Sequence, residues 1–360
     1  MAKTEFMNGV KKYLKRYFID AMGAMAQGLF ASLLIGTIFK AIGMIPHLEI
    51  MADIGAYAQA MAGAVMAAAI AYSLKASPLV IFSSAAVGYA ANSQGGAGGP
   101  LAVFFIAIAA VEIGMLVSKK TKIDIIVTPF VTLLVGGLLS VFAAPHIGTA
   151  VGYVSSFIGW ASTQAPFVSG VIISVVMGIC LTLPISSAAI CAGLVLTGSV
   201  AAGGSEGLAI AGAAAVAGCC AQMVGFAVIS FRENGWGGVM SQGIGTSMLQ
   251  MPNIIKRPQI WIAPTLASAI TGPMAVCLFE LRMYGAAINS GMGTCGLLGP
   301  IGMVLGWVVP ENGYEGPLGA LQWIGLALVC FVLPAVLSFV FNEILRKLGW
   351  VRTGDMKLPE

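Results

Sequence analysis

The sequence predicts an all-α polytopic membrane protein with about ten transmembrane helices and two inverted re-entrant hairpins. Three observations carry that expectation. The composition is apolar and poor in charge, apolar runs of spanning length recur along the chain, and one glycine-rich motif occurs twice, between runs of opposite predicted sidedness.

Hydrophobic residues make up 58% of the 360 residues and charged residues only 9%, where a soluble domain carries about 25% charged. Mean hydropathy is +0.94. So few charges cannot cover the surface of a soluble globule. This excludes a soluble enzyme, a nucleic-acid binder and a disordered regulator. The net charge of +4 is read for orientation before partners. The first apolar run, 22–44, is longer than a signal h-region and no A-x-A-like site follows it, so no cleavable signal is expected. The seven cysteines lie in apolar or glycine-rich segments without a C-x-x-C pair and read as small buried hydrophobes.

A membrane helix takes about 20 mostly apolar residues. Ten runs are read as spans: 20–43, 55–74, 78–94, 100–118, 123–143, 167–183, 185–202, 207–230, 259–281 and 318–343. Pro184 divides 167–202 into two of them. Residues 146–164, with Tyr153, Phe157 and Trp160 among Ser and Gly, read as an interfacial segment. Within 1–19, Phe6, Val10, Tyr13, Leu14, Tyr17 and Phe18 alternate with basic residues at helical spacing, as in an amphipathic cytoplasmic helix on the inner leaflet. A cytoplasmic extension of the first span is the other reading. The transport domain is set at 20–345 and a cytoplasmic tail at 346–360.

Lys and Arg place both termini in the cytoplasm. Lys11, Lys12, Lys15 and Arg16 precede the first span, and Lys75, Lys119, Lys120, Lys122, Arg232, Lys256 and Arg257 fall on the same side. Arg346, Lys347, Arg352 and Lys357 follow the last span, while Glu49, Asp53, Glu206, Glu311 and Glu315 face the other side.

The repeated motif is G-[IM]-G-T-x-x-L-x-x-P, at Gly243–Pro252 and again at Gly291–Pro300. The first copy has predicted cytoplasmic flanks and the second external ones. Both segments are too apolar and glycine-rich for solvated loops and too short to cross twice. They read as two hairpins entering from opposite faces, the arrangement that pointed broken helices give at a transport site. Glycines there allow close backbone approach to a ligand. A weaker parallel links Ser83–Ala86 and the Asn92–Pro100 stretch to Ser186–Ala189 and Gly203–Gly207, as an older duplication.

The candidate site residues are neutral amides, hydroxyls and glycines, which offer donors and acceptors to an uncharged polyhydroxy ligand. Gln242, Gly243, Gly245, Thr246, Gln250 and Asn253 belong to the first hairpin; Asn289, Gly291, Gly293 and Thr294 belong to the second. Asn92, Gln94 and Gln222 join them, with Glu233 and Asn234 at the entry to the first hairpin. Glu112 lies inside the fourth span, where a carboxylate is costly and marks an ion path unless it sits near the interface. Glu280 with Arg282 reads as a rim pair. His47 and His146 lack partners at ligand spacing, so no metal site and no cofactor are expected. No P-loop, G-x-S-x-G or H-E-x-x-H occurs, so no catalytic residue is assigned.

The run Tyr13–Asp20 through Gly28–Ile38, with Gly243–Pro252, Asn253, Lys256 and Gly291–Thr294, resembles the second EIIC family of the bacterial phosphotransferase system, which includes perfringolysin-regulator-like proteins. The resemblance implies an inner-membrane permease component that binds a sugar-like solute, with separate IIA and IIB proteins as phosphotransfer partners. It also implies a homodimer in the lipid bilayer. Arg232-Glu233-Asn234 only loosely resembles the G-I-T-E-type sugar motif of glucose-like transporters. An ion-coupled or passive transporter of a small polar solute, and a membrane sensor, stand as the alternatives.

Overall fold

A computed structural model describes Tyr13 and residues 15–43, 47–199, 202–316 and 318–358. Most of the expected amphipathic segment 1–19, namely residues 1–12 and 14, lies outside them. The described residues form helices and irregular segments, with no strand among them. Six stretches are long and apolar enough to cross a membrane, and a seventh if one bent pair counts as a single span. The chain is an all-helical multi-pass membrane protein. Its contacts divide it into two units.

The first unit contains the residues up to Ala150 together with Met251–Lys256. Helix α1 (Lys15–Lys40) carries Lys15–Asp20 in continuous helix with the span. Helices α2 (Ile50–Ala60) and α3 (Ala62–Ser73) meet at 49° beside Met61. Then follow α4 (Pro78–Gly95), α5 (Gly99–Val117), α6 (Asp124–Phe142) and α7 (Ala144–Ala161), the last running on into the second unit. Pro78 and Pro100 stand in first turns, where the missing amide is not needed. Gly96, at φ +51°, reverses the chain so that α5 packs back along α4.

Small residues let these helices touch backbone to backbone, as expected where lipid gives no hydrophobic drive to helix association. A Cβ on Gly36 would fall 2.7 Å from the Gly55 carbonyl oxygen, and one on Gly63 would fall 2.5 Å from that of Gly88.

The second unit comprises Val151–Gln250 and Arg257–Leu358. Its helices are α8 (Pro166–Thr182), α9 (Ser187–Gly193), α10 (Glu206–Ile229), α11 (Phe231–Met240), α13 (Ile262–Pro273), α14 (Leu298–Val308) and α15 (Ala320–Lys347); α12 (Met251–Lys256) belongs to the first unit. Helix α10 is the axis. It is Ala- and Gly-rich, almost wholly buried, and packed by α8, α13 and α15. Gly218 meets Ser174 on α8, Gly225 meets Pro264 and Ser338, and Gly272 on α13 meets Gly170 on α8.

The count of ten spans is not reproduced. Among the described residues of 185–202 no span-length helix forms: Ser187–Gly193 are helical, and the chain from Leu194 to Ser199 is irregular. The cause lies in the segment's hydroxyls, which satisfy backbone elsewhere instead of extending a helix. Thr197 Oγ1 donates to the Gly285 carbonyl at 2.7 Å, and Ser187 Oγ to that of Gly291 at 2.7 Å. The segment 146–164 is mostly the regular helix α7. Ser83–Ala86 lies within the 18-residue α4, whereas Ser186–Ala189 opens the seven-residue α9, so the weaker duplication has no common local structure. Six of the seven cysteines are buried, and Cys277 is exposed.

Gly218 gives the sharpest test of this packing, since a Cβ there would overlap the Ser174 carbonyl oxygen. Gly218→Leu should cost at least about 1–3 kcal/mol or abolish folding. Gly137→Ala, with open space around its position, should leave the melting temperature in detergent unchanged.

Candidate functional site

Both copies of the repeated motif fall where helix gives way to turns. In the first, α11 is kinked at Gly235, and a wide turn over Ser241–Gly245 ends at the extended Thr246 (φ −158°, ψ 142°). Short helical turns resume at Ser247. In the second, Ala287–Gly291 is a tight turn, Gly293 (φ +52°) and Gly296 (φ +53°) turn the chain, and α14 leads away.

The two breaks meet. Thr294 Oγ1 donates to the Gly243 carbonyl at 2.5 Å. Thr246 and Thr294 are almost completely buried, and Thr246 Oγ1 accepts from the Met248 amide at 3.1 Å. The motif's glycines divide by role. A Cβ on Gly293 would fall 2.7 Å from the Cys219 carbonyl carbon, and one on Gly291 would fall 2.4 Å from the Ser187 oxygen. In this structure those two glycines admit neighbouring backbone rather than a ligand. Gly243 contributes its carbonyl, and Gly245 is buried.

Around the tips runs a buried polar network. Gln222, on α10, accepts from Trp261 Nε1 at 3.0 Å and from Thr182 Oγ1 at 3.4 Å, and donates to Thr265 at 3.3 Å. Thr182 also bonds Ser247 at 2.8 Å. Gln242 Nε2 donates to Ser230 Oγ and the Gly238 carbonyl, and Gln250 Nε2 donates to Gln242 Oε1 at 2.9 Å. Asn289 packs beneath Gly302 at the foot of the second break.

Each break is tied at its base by a carboxylate–guanidinium pair. Glu233 pairs with Arg346 of α15 at 2.8 Å, the side chains being 3% and 11% exposed. Glu206 accepts from Arg282 and, at 3.0 Å, from Tyr284. Burial, followed by this bond to Glu206, raises the Tyr284 pKa above its ordinary value. Arg346, counted with the tail in the sequence reading, lies in the last turn of α15.

The segment 351–358 folds back onto the first break. The Met356 carbonyl accepts from Asn234 at 2.8 Å and from Gln250 at 3.0 Å, and the Leu358 amide donates to Asn234 Oδ1. The Gly354 amide donates to Glu233, and Asp355 pairs with Arg257 at 3.7 Å. Val351 and Met356 are buried. Glu233, Asn234 and Gln250, expected at a solute, therefore bond the tail in this structure.

The remaining candidates lie in the first unit. Asn92 is half-buried and Gln94 exposed near the end of α4. Asn253, on α12, is buried in a short helix that packs with α1. Glu112 has a partner: Arg16 lies 2.8 Å away, and Tyr17 donates to the same oxygen at 3.0 Å. Sequence reasoning missed Thr182, Ser247, Arg346 and the Met356 carbonyl. Pro184 and Pro252 near the first two are a faint signal for breaks that need hydroxyls; a backbone carbonyl leaves none.

Two glycine–threonine breaks joined at the Thr294–Gly243 bond thus form the candidate site. The family described as "Phosphotransferase system, EIIC" matches residues 19–358. The chain belongs to it. No curated protein matches this EIIC-family chain in a direct comparison.

The Glu233–Arg346 pair makes a direct prediction. Arg346→Leu alone should lower stability by about 3–5 kcal/mol by stranding a buried carboxylate, whereas Glu233→Leu with Arg346→Leu should recover most of that loss. Melting temperatures of the single and double variants check it.

Proposed function

We propose that this chain is the membrane permease, the IIC-type component, of a sugar phosphotransferase system. It binds and translocates a sugar or similar small polar solute across the bacterial inner membrane, with separate IIA and IIB proteins supplying phosphate. The observation that carries this reading is the Thr294–Gly243 contact between two broken segments, in a chain matching the EIIC family over 19–358. Irregular backbone at membrane depth is tolerated only where protein buries it or a wet cavity lines it. The two breaks are read as re-entrant hairpins from opposite faces, with both termini cytoplasmic and the chain paired as a homodimer.

On this reading the contact is a closed state. The Thr294 hydroxyl is met by the Gly243 carbonyl, Gln222 by Trp261, Thr182 and Thr265, and Gln242 and Gln250 by each other, Ser230, Gly238 and the tail, until a solute's hydroxyls exchange for those bonds. Separation of the tips opens the space, and the neutral donors and acceptors then match an uncharged polyhydroxy ligand. Asn289 and Thr246, in the same unit, are the further groups assigned to it. Glu112 is assigned to the ion path only in the ion-coupled alternative. Its pairing with Arg16 supports an anchoring role instead, and Glu112→Gln should leave the pH profile of uptake unchanged.

Loss of one ligand-bonding hydroxyl should weaken solute affinity about tenfold. Thr246→Val and Thr294→Val should do so in protein that still melts cooperatively, whereas Gly293→Leu should lose stability first. Affinity and melting temperature measured together against a panel of sugars and polyols decide it; unchanged affinity in both threonine variants overturns the shared site. Impermeant maleimide should label a cysteine at 256 from inside and one at 313 from outside. The reverse pattern would sink the inverted-hairpin reading.

A further inference from the structure

We infer that the groove bordered by α10, α11 and α15 binds a phospholipid with a primary-ammonium headgroup, phosphatidylethanolamine. The groove encloses about 460 Å³, within the roughly 300–1,000 Å³ of small-molecule sites. Its walls are apolar, with Phe231, Trp236 and Phe339 prominent, and three polar residues break them: Arg232, Asn342 and Glu343. Trp236 is 73% exposed and packs edge-on against Phe231. Exposed aromatic rings of this kind settle at the level of lipid headgroups.

The polar residues define the headgroup. Arg232 Nη1 lies 3.1 Å from Glu343 Oε1, and both side chains keep an accessible face. They present a cation and an anion side by side, the complement of a phosphate joined to an ammonium. Asn342 is 2% exposed, and its Oδ1 has no hydrogen-bond partner. A buried carbonyl without a donor is a standing cost. An ammonium satisfies it while facing Glu343, and the phosphate accepts from Arg232. An acyl chain covers Phe231 and Phe339. Choline has no N–H for Asn342. A glycerol headgroup brings no cation to Glu343 and sets its phosphate's negative charge beside that carboxylate. The groove's polar residues are separate from the groups assigned to the solute.

The test uses the full chain, delipidated in detergent, with dioleoyl phosphatidylethanolamine, phosphatidylcholine and phosphatidylglycerol. Lipid retention is read by native mass spectrometry and stability by melting. Phosphatidylethanolamine should be retained best and raise the melting temperature most. Glu343→Gln and Asn342→Leu should each reduce its retention about tenfold. Asn342→Leu should also raise the melting temperature without lipid, because the unpaired carbonyl is gone. Equal retention of the three lipids would mean an unselective lipid coat and overturn the proposal, as would preference for phosphatidylglycerol. Persistence of the ethanolamine preference in Glu343→Gln would overturn it too, and that variant decides the matter if Asn342→Leu fails to fold. Arg232→Gln should weaken retention of all phosphate-bearing headgroups at this groove.

Discussion

A helix break buried in packed protein leaves amides and carbonyls that need partners, and the second unit is organised around meeting them. The Thr294 hydroxyl closes on the Gly243 carbonyl where the two breaks face each other. Below the second break, Thr197, Ser187 and Ser290 donate to carbonyls of neighbouring irregular backbone. Next to the first, Gln242 and Gln250 form a relay that ends on Met356. Were these bonds absent, each buried unmet group would carry a penalty of about 1–3 kcal/mol. Serine, threonine and glutamine thus take on inside this buried region the part that water takes at a soluble protein's loops.

The glycines serve the same end by another route. Gly218, Gly272 and Gly293 bring backbones close enough for short hydroxyl side chains to reach across. Ser174 illustrates the coupling: it sits under Gly218 and Gly272, and its hydroxyl donates to the Ser268 carbonyl at 2.8 Å. Enlarging one of these glycines would also pull apart the hydrogen bonds that its smallness permits.

The membrane class, the all-helical fold and the breaks at both motif copies were legible in the sequence. Each rests on a local signal: hydropathy over a window, or glycines beside a threonine and a proline. The expected span over 185–202 misled because average hydropathy conceals what Ser187 and Thr197 bond to, and those partners lie beyond residue 280. Among the site residues, residue type identified groups that need hydrogen-bond partners but not who supplies them. Glu233 and Asn234 read as ligand-facing because they open the first hairpin, and their distant partners do not show in the local sequence. Those partners are Arg346 and Met356, more than a hundred residues away. Glu112 was noticed for the cost of its charge, while the relief of that cost by Arg16 is visible only in three dimensions.

The bond from Asn234 to Met356 spans 122 residues. During synthesis, Asn234 and Gln250 are therefore made long before the Met356 carbonyl that accepts from both. In that interval the Ser230 carbonyl can receive from Asn234 and Gln242 from Gln250, but α15, which brings Arg346 to Glu233, has yet to be made. The nascent protein therefore passes through a stage in which the first break lacks the partners that the last helix and the tail supply.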